Sequence, residues 1–532
     1  MKSLNHIFRS IWSEALGAWI AVSEITKTKG KRSASSLIRA IRIASGNTAT
    51  DASEFKIHLK PVCLILALSF ASAAQANPIG GSVINGSDSF NTSGNTLTVT
   101  NTPGTIINWQ GFSINKGEVT HFAQQSAAST VLNRVVTNNP SNILGTLSSN
   151  GHVYLVNANG IMFGKGSTVD VAGLVATTLN LSNADFLAGR NNFSAVPGAQ
   201  NISNAGNITA QQGGQIYLIA PNVENNGIIT APNGEILLAA GNSVELVNSN
   251  DPNLRVSITA PAGDATNLGQ LIVGSGNLGL FGTVVKSSGI ASADSATLQG
   301  GKIVFRATQR VDVGGTVSAV GANDTGSINI EAPGALVAIA DAKVTAHDIN
   351  VNSNGFIGKG TIDASGVNGG NININTNYLS YHGALHADGN GGAGGNIALH
   401  TNGQLMMNQD AVISANGSNG AGGHIELINA SGISLLSANL QANGLSGGSI
   451  DITSPRLTLI GAKVHADGKY GGGVIRVGGA WQGGAGLAAA DRLAARWRWG
   501  SGCAPAGQPA VALLRRKRAT ADHWPARCRR GG

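Results

Sequence analysis

The sequence predicts an all-β chain, a right-handed parallel β-helix (a solenoid), behind a cleaved helical leader. Three observations predict it. A Gly-Gly pair followed by a strand of alternating apolar and polar residues recurs at a near-constant step through the C-terminal half. Within each copy the alternation has the period of a strand, two, and no helical period is present. Proline is scarce, 14 in 532 residues, while glycine reaches 74, so the chain reads as short strands joined by tight corners.

The leader comes first. A cationic cluster, Lys27, Lys29, Lys31 and Arg32, is followed by the apolar run "PVCLILALSFASAAQA". Val62 to Phe70 has the length of a signal-peptide core and is too short for the roughly 20 residues a membrane-spanning helix needs. Ala74-Gln75-Ala76 fits the small-residue cleavage pattern, so cleavage after Ala76 is expected, with Asn77 as the first mature residue. From Asn77 the chain becomes rich in Gly, Asn, Ser and Thr. At 76 residues the leader is far longer than an ordinary signal of about 15–30 residues.

Charge and cysteine divide the rest. Residues 1–76 carry ten Lys/Arg against four Asp/Glu, and residues 480–532 carry ten against two, so the middle is acidic by six charges although the whole chain is +8. The basic balance belongs to the two ends and argues for no nucleic-acid partner of the body. Cys63 lies in the leader, and Cys503 and Cys528 in the tail; the middle has none. A chain that crosses a second membrane unfolded needs that absence, but large secreted β-proteins often lack cysteine anyway, and composition leaves both readings open.

The repeats define the body. The glycine immediately before the strands "NININ", "NIALH", "HIELI", "SIDIT" and "VIRV" falls at Gly370, Gly395, Gly423, Gly448 and Gly473, in steps of 25, 28, 25 and 25. A fixed period of this size signals a solenoid, in which stacked coils share a core that one coil cannot bury alone. Ile372 and Ile374 should face inward and Asn371 and Asn373 outward. Each repeat later carries Ala-Asp-Gly or Ala-Asn-Gly, at Asp388, Asn416, Asn443 and Asp467, read as positive-φ turns. Because Asp exchanges with Asn there, these acids are read as turn residues rather than catalysts. His382, His386, His400, His424 and His465 are scattered. There is no H-E-x-x-H, no Cys/His ligand spacing, no calcium-binding nonapeptide and no G-x-x-x-x-G-K-[ST] motif. No catalytic residue, cofactor or metal site is expected. A β-helix enzyme acting on polysaccharide is the rival, and it would need carboxylates or histidines converging on one face.

The most specific stretch precedes the repeats. "NNPSNILG" at Asn138–Gly145 and "NANGIMFG" at Asn157–Gly164 resemble two landmark motifs of the filamentous haemagglutinin family, the exoproteins of two-partner secretion. The likeness covers roughly Asn77 to Pro252, with looser repeat similarity to about Gly479. Ala158 stands where the family usually has proline, which would loosen that turn. "IWSEALGAWIAVSEITKTKGKRS" resembles the family's extended signal peptide region. The resemblance implies export by the Sec machinery, slowed at the inner membrane, then recognition by a dedicated outer-membrane β-barrel transporter and folding outside a Gram-negative cell. It points to Asn139, Pro140, Asn142, Asn157, Asn159, Gly160 and Ile161 as residues of transporter recognition. The implied function is a secreted or surface adhesin, haemagglutinin-like, meeting glycans or receptors on host or bacterial surfaces. A contact-dependent toxin stalk, a haemolysin and a haem-acquisition protein share the same beginning.

The expected division is therefore 1–76 extended signal peptide, 77–252 secretion domain, 253–480 repeats of about 25 residues and 481–532 a basic, non-repetitive tail. In the tail Asn vanishes and Ala, Arg, Trp497, Trp499 and Trp524 take over. It reads as a frameshifted gene end, disordered and leaving the last coil uncapped. The alternative is a basic tail that binds anionic lipid or polysaccharide.

Overall fold

The computed structural model describes residues 8–13, 18–23, 77–246, 256–261, 263–296 and 300–478, with the backbone strands 492–496 and 511–514. The chain divides into two units, residues 1–73 and 74–532.

In the first unit, Phe8–Ser13 and Ala18–Ser23 pair as an antiparallel hairpin with Trp12 opposite Trp19. The leader was expected to be helical, and over these residues it is not. "FRSIWS" and "AWIAVS" alternate apolar and polar residues and are rich in aromatic and β-branched types, which suit a pleated surface. The expected cleavage residues Ala74 and Ala76 lie outside the described residues.

The second unit is a parallel solenoid with three ladders. The first ladder runs from Thr96–Asn101 to Lys463–His465. The second stacks fifteen described strands from Thr105–Trp109 to Val474–Val477. The third runs from Ser141–Ile143 to Arg456–Ile460. Register is residue-on-residue: Ile372 pairs with Ile349 below it and Ile397 above it, and Ile374 with Val351 and Leu399. These five and Ile372 itself are at most 1% exposed, so each apolar side chain is sealed by its equivalents. Full burial of one such side chain is worth about 1.5–3 kcal/mol.

The glycines serve this stacking differently from the expected turns. Gly389, Gly417, Gly444 and Gly468 are absent from the positive-φ residues. They are glycine because a Cβ would lie 2.0 Å from Ala393 O, 2.2 Å from Ala421 O, 2.3 Å from Gly422 N and 1.9 Å from Gly471 O, respectively. The preceding Asp or Asn forms a column of its own. Asp388 Oδ1 accepts from Asn416 N (2.6 Å), Asn416 Oδ1 from Asn443 N (2.9 Å) and Asn443 Oδ1 from Asp467 N (2.7 Å). Either residue type supplies that oxygen, which explains their exchange.

Two additions complete the unit. At its start, Ser82–Asn85 and Asp88–Ser93 pair antiparallel with Thr105–Trp109 and Thr96–Asn101, capping the first coil. Phe90 and Phe112 pack edge-on against Trp109, whose indole N–H donates to buried Asn133 (2.9 Å). Farther along, an antiparallel layer of Asn180–Leu181, Asn191–Ser194, the end of Glu235–Leu246 and Val256–Pro261 leaves the coils. With the short helix Asn183–Leu187, capped by Ser182, it forms a second core on Ile106, Leu132, Val175, Tyr217 and Phe281. Half-buried Arg134 ties it down, donating to Leu181 O (2.7 Å) and Asn183 Oδ1 (2.8 Å).

The tail departs from the expectation in part. Arg492–Arg496 lies parallel on Arg456–Ile460, and Val511–Leu514 on Val474–Val477. "RLAAR" and "VALL" are short and apolar enough to extend two ladders, so those edges of the last coil are paired. The rest of 481–532 lies outside the described residues.

Candidate functional site

The two motifs occupy one corner of consecutive coils, where the second ladder turns into the third. Strand Ile161–Phe163 pairs in parallel with Ser141–Ile143, placing Ile161 on Ser141 and Met162 on Asn142. The seven residues singled out from sequence are thus brought together.

Asn157 organises the corner and is wholly buried. Its Nδ2 donates to Asn139 O and Ser141 Oγ, both at 2.9 Å. Its Oδ1 accepts from Asn159 N (3.0 Å) and Asn159 Nδ2 (3.1 Å). Asn159 Nδ2 also donates to Thr137 O (2.7 Å). Gly160 N donates to Asn157 O (3.2 Å), and Gly160 O accepts from Ser141 N (3.0 Å). Gly160 sits at φ +104°, the left-handed side that favours glycine. Asn142 N donates to Ser113 Oγ (3.0 Å), whose coil lies one below. Asn139 and Pro140 are exposed, Asn142 and Asn159 half-buried, and Gly160 and Ile161 buried. Ala158 is half-buried, and among the described residues its N–H donates no hydrogen bond, while its carbonyl accepts from Gln200 N (2.9 Å). The turn is closed by Asn157 and Asn159, so proline is not needed to hold it.

Asn77, the expected mature terminus, is 8% exposed and built into the cap. Its Nδ2 donates to Asn95 O and its Oδ1 accepts from Thr120 Oγ1, both at 3.0 Å.

The repeat histidines sit apart. His400 Nε2 lies 2.9 Å from Glu426, and His424 Nδ1 lies 2.6 Å from Ser449 Oγ. His386, Ser414 and Asp388 cluster, but the Ser414 hydroxyl donates to Asp388 Oδ2 (2.6 Å), with His386 Nδ1 2.7 Å from Ser414 Oγ. The Ser414 hydroxyl points its proton at the carboxylate, not at the imidazole, unlike the order a nucleophilic serine needs. Among the described residues no three His, Cys, Asp or Glu side chains converge as a metal cluster.

Sequence reasoning missed a buried asparagine column inside the first half. Asn204 Nδ2 donates to Asn225 Oδ1 (2.8 Å) and Asn225 Nδ2 to Asn267 Oδ1 (2.9 Å), all at most 1% exposed. The signal was present as Asn-x-Gly at 204, 225 and 267.

Comparison with known proteins follows this geometry. Residues 74–319 match the family model of the TPS secretion domain, and residues 5–50 that of the Extended Signal Peptide of Type V secretion system. A heme/hemopexin-binding protein of Haemophilus influenzae (strain ATCC 51907 / DSM 11121 / KW20 / Rd) is 39% identical over 128 residues, 23% of this chain and 14% of that protein. A second H. influenzae heme/hemopexin-binding protein is 41% identical over 75 residues, 14% of this chain and 8% of that protein. The matched segments thus span only a small part of these relatives. The crystal structure of the HMW1 secretion domain of H. influenzae is similar at TM-score 0.50 and 27% identity, covering 73% of this chain and 98% of that one. A TPS domain implies a partner transporter in the outer membrane. The extended signal peptide and TPS domain together mark Sec-dependent export and a secreted or surface location in Gram-negative bacteria. Residues 5–50 and 74–319 thus carry an extended signal peptide and the TPS secretion domain of two-partner secretion, the latter folded as a parallel β-helix.

Proposed function

We propose that this exoprotein is a non-enzymatic, adhesin-like surface protein, and that its transporter reads the corner motifs before the corner folds. The observation that supports the second half is the burial of the motif. Of the seven residues singled out, only Asn139 and Pro140 are exposed, while the Asn157 and Asn159 side chains are bonded to the corner itself. A transporter domain that meets the chain extended finds those amides and the strand edges free, and can bind by adding a strand. Once folded, the same residues are withdrawn into the solenoid, which favours release on the outside. The transporter's isolated periplasmic region, titrated with urea-unfolded and with folded chain, tests this. Binding to the unfolded chain, weakened at least tenfold by Asn159→Ala, is expected. Equal binding of the folded chain, or normal secretion of Asn159→Ala, overturns it.

The adhesin reading rests on the outer surface: ladders of side-chain amides, such as Asn350 to Asn329 (3.1 Å) and Asn373 to Asn350 (3.0 Å), repeat along the coils and suit polar surface ligands such as glycans. The mature protein is taken to begin Asn77-Pro78-Ile79, which terminal sequencing of extracellular material checks. A second reading, haem acquisition, is favoured by the matched heme/hemopexin-binding proteins. Titration with hemin separates the two: a saturable Soret shift supports haem acquisition, and its absence together with retention on glycan-bearing cells supports the adhesin.

A further inference from the structure

The N-terminal cap holds an arrangement that neither export nor adhesion uses. Asp88, Asn101 and Gln124 stand in one row across three adjacent strands. Asp88 is the antiparallel partner of Asn101, and Thr100 pairs with Ala123, which places Gln124 beside Asn101. Directly paired residues share a face of the sheet, about 5 Å apart. Asn101 is 4% and Gln124 8% exposed. Both amide groups have fixed orientations. Asn101 Nδ2 donates to Thr102 O (3.0 Å), and Gln124 Nε2 donates to Ser149 Oγ (3.1 Å) and His152 O (3.0 Å). With their N–H groups engaged, the oxygens Asn101 Oδ1 and Gln124 Oε1 are left buried with no protein partner among the described residues, and so is Asp88 Oδ2.

Three buried acceptors without donors are costly, because each has given up water without recovering a bond. All three residues line a single open cavity of about 410 Å³, and no Lys or Arg is among its lining residues. Room has been kept for this row: at Gly151 a Cβ would lie 2.6 Å from Gln124 Cδ.

We propose that Asp88, Asn101 and Gln124 form a binding site for a hard divalent cation, calcium. One carboxylate and two amide carbonyls are the oxygen donors calcium takes, with water completing its shell of six to eight ligands. Calcium tolerates the irregular geometry of a sheet row, whereas magnesium demands a near-ideal octahedron. The bound ion joins the cap strand Asp88–Ser93 to the first two coils. A single carboxylate places the site among weak extracellular ones, with Kd of about 10⁻⁴–10⁻³ M.

Calorimetric titration of the secreted mature protein with CaCl₂ tests the assignment. One saturable site per chain is expected in that range. Asp88→Asn, at a half-buried position where shape is preserved, should weaken it at least tenfold. Gln124→Glu, which adds a second carboxylate to the row, should tighten it at least tenfold, so the test does not depend on a loss alone. Absence of saturation by 10 mM CaCl₂ (an adventitious ion only), equal affinity in wild type and Asp88→Asn, or a Gln124→Glu titration no tighter than wild type would each overturn the proposal.

Discussion

Replacing Asn157 by alanine should open one corner of the solenoid while leaving its coils stacked. The side chain makes four hydrogen bonds, two given and two received, at 2.9–3.1 Å. Each is worth about 0.5–1.5 kcal/mol net, and buried partners left unsatisfied add to the loss. Ser141 is wholly buried and cannot turn to solvent, whereas the exposed backbone around Asn139 can recover water. Together these give a loss of about 3 kcal/mol at the corner, or roughly a hundredfold in a local opening equilibrium. Because long repeat arrays lose two-state cooperativity, a global unfolding midpoint is the wrong readout. Amide hydrogen exchange is local. The Ser141 N–H, bonded to Gly160 O, should exchange about a hundredfold faster in Asn157→Ala, while amides in the Ile372 strand stay unchanged. The exposed control Asn139→Ala removes only a 3.3 Å bond to Gln110 O and should change exchange less than threefold, about 0.6 kcal/mol. If Asn157→Ala and Asn139→Ala behave alike, the motif does not act by building the corner.

Other consequences are open to simpler tests. Ile374→Asp places an unpaired charge in the shared core, at a cost of several kcal/mol, and should abolish the protease resistance of the body, whereas Asn373→Asp on the outer face should keep it. Ala158→Pro removes no hydrogen bond and should raise stability by about 0.4–1 kcal/mol, seen as slower exchange at the same corner. Burial lowers the His152 pKa below its ordinary 6.5, so the unfolded chain binds the proton more readily; stability should fall as pH drops below that value, and His152→Gln should flatten that part of the pH profile.

Much of this architecture could be read from the residues because a solenoid repeats its constraints. "NININ" states its own phase: Ile372 and Ile374 are buried and Asn371 and Asn373 are not. The turn glycines after Asp388, Asn416, Asn443 and Asp467 are needed for close approach rather than positive φ, and the paired glycines mark where coils touch. At Gly395 a Cβ would lie 2.0 Å from Gly370 O, a collision between neighbouring coils that no single repeat reveals. The side layer stayed hidden because part of its pairing is far apart in sequence: Asn191–Ser194 pairs with nearby Asn180–Leu181 on one side but with the end of Glu235–Leu246 on the other. At Phe8–Ser13 and Ala18–Ser23 the leader differs from the helical expectation because Trp12 opposite Trp19 is a cross-strand pairing that only register exposes. At the corner, the motif residues were found through resemblance alone. Nothing in their types distinguished Asn157, buried and fourfold bonded, from Asn139, which is exposed. The cation site is built from residues that looked like ordinary strand ends, and only the three orphaned oxygens single them out.

Expression of the full chain in a Gram-negative host, with and without its partner outer-membrane transporter, is the most direct test of the secretion mechanism. With the transporter, folded protein should reach the medium or cell surface; without it, the same chain should stop in the periplasm and be degraded. Equal amounts of extracellular protein in both strains would contradict two-partner export of this chain.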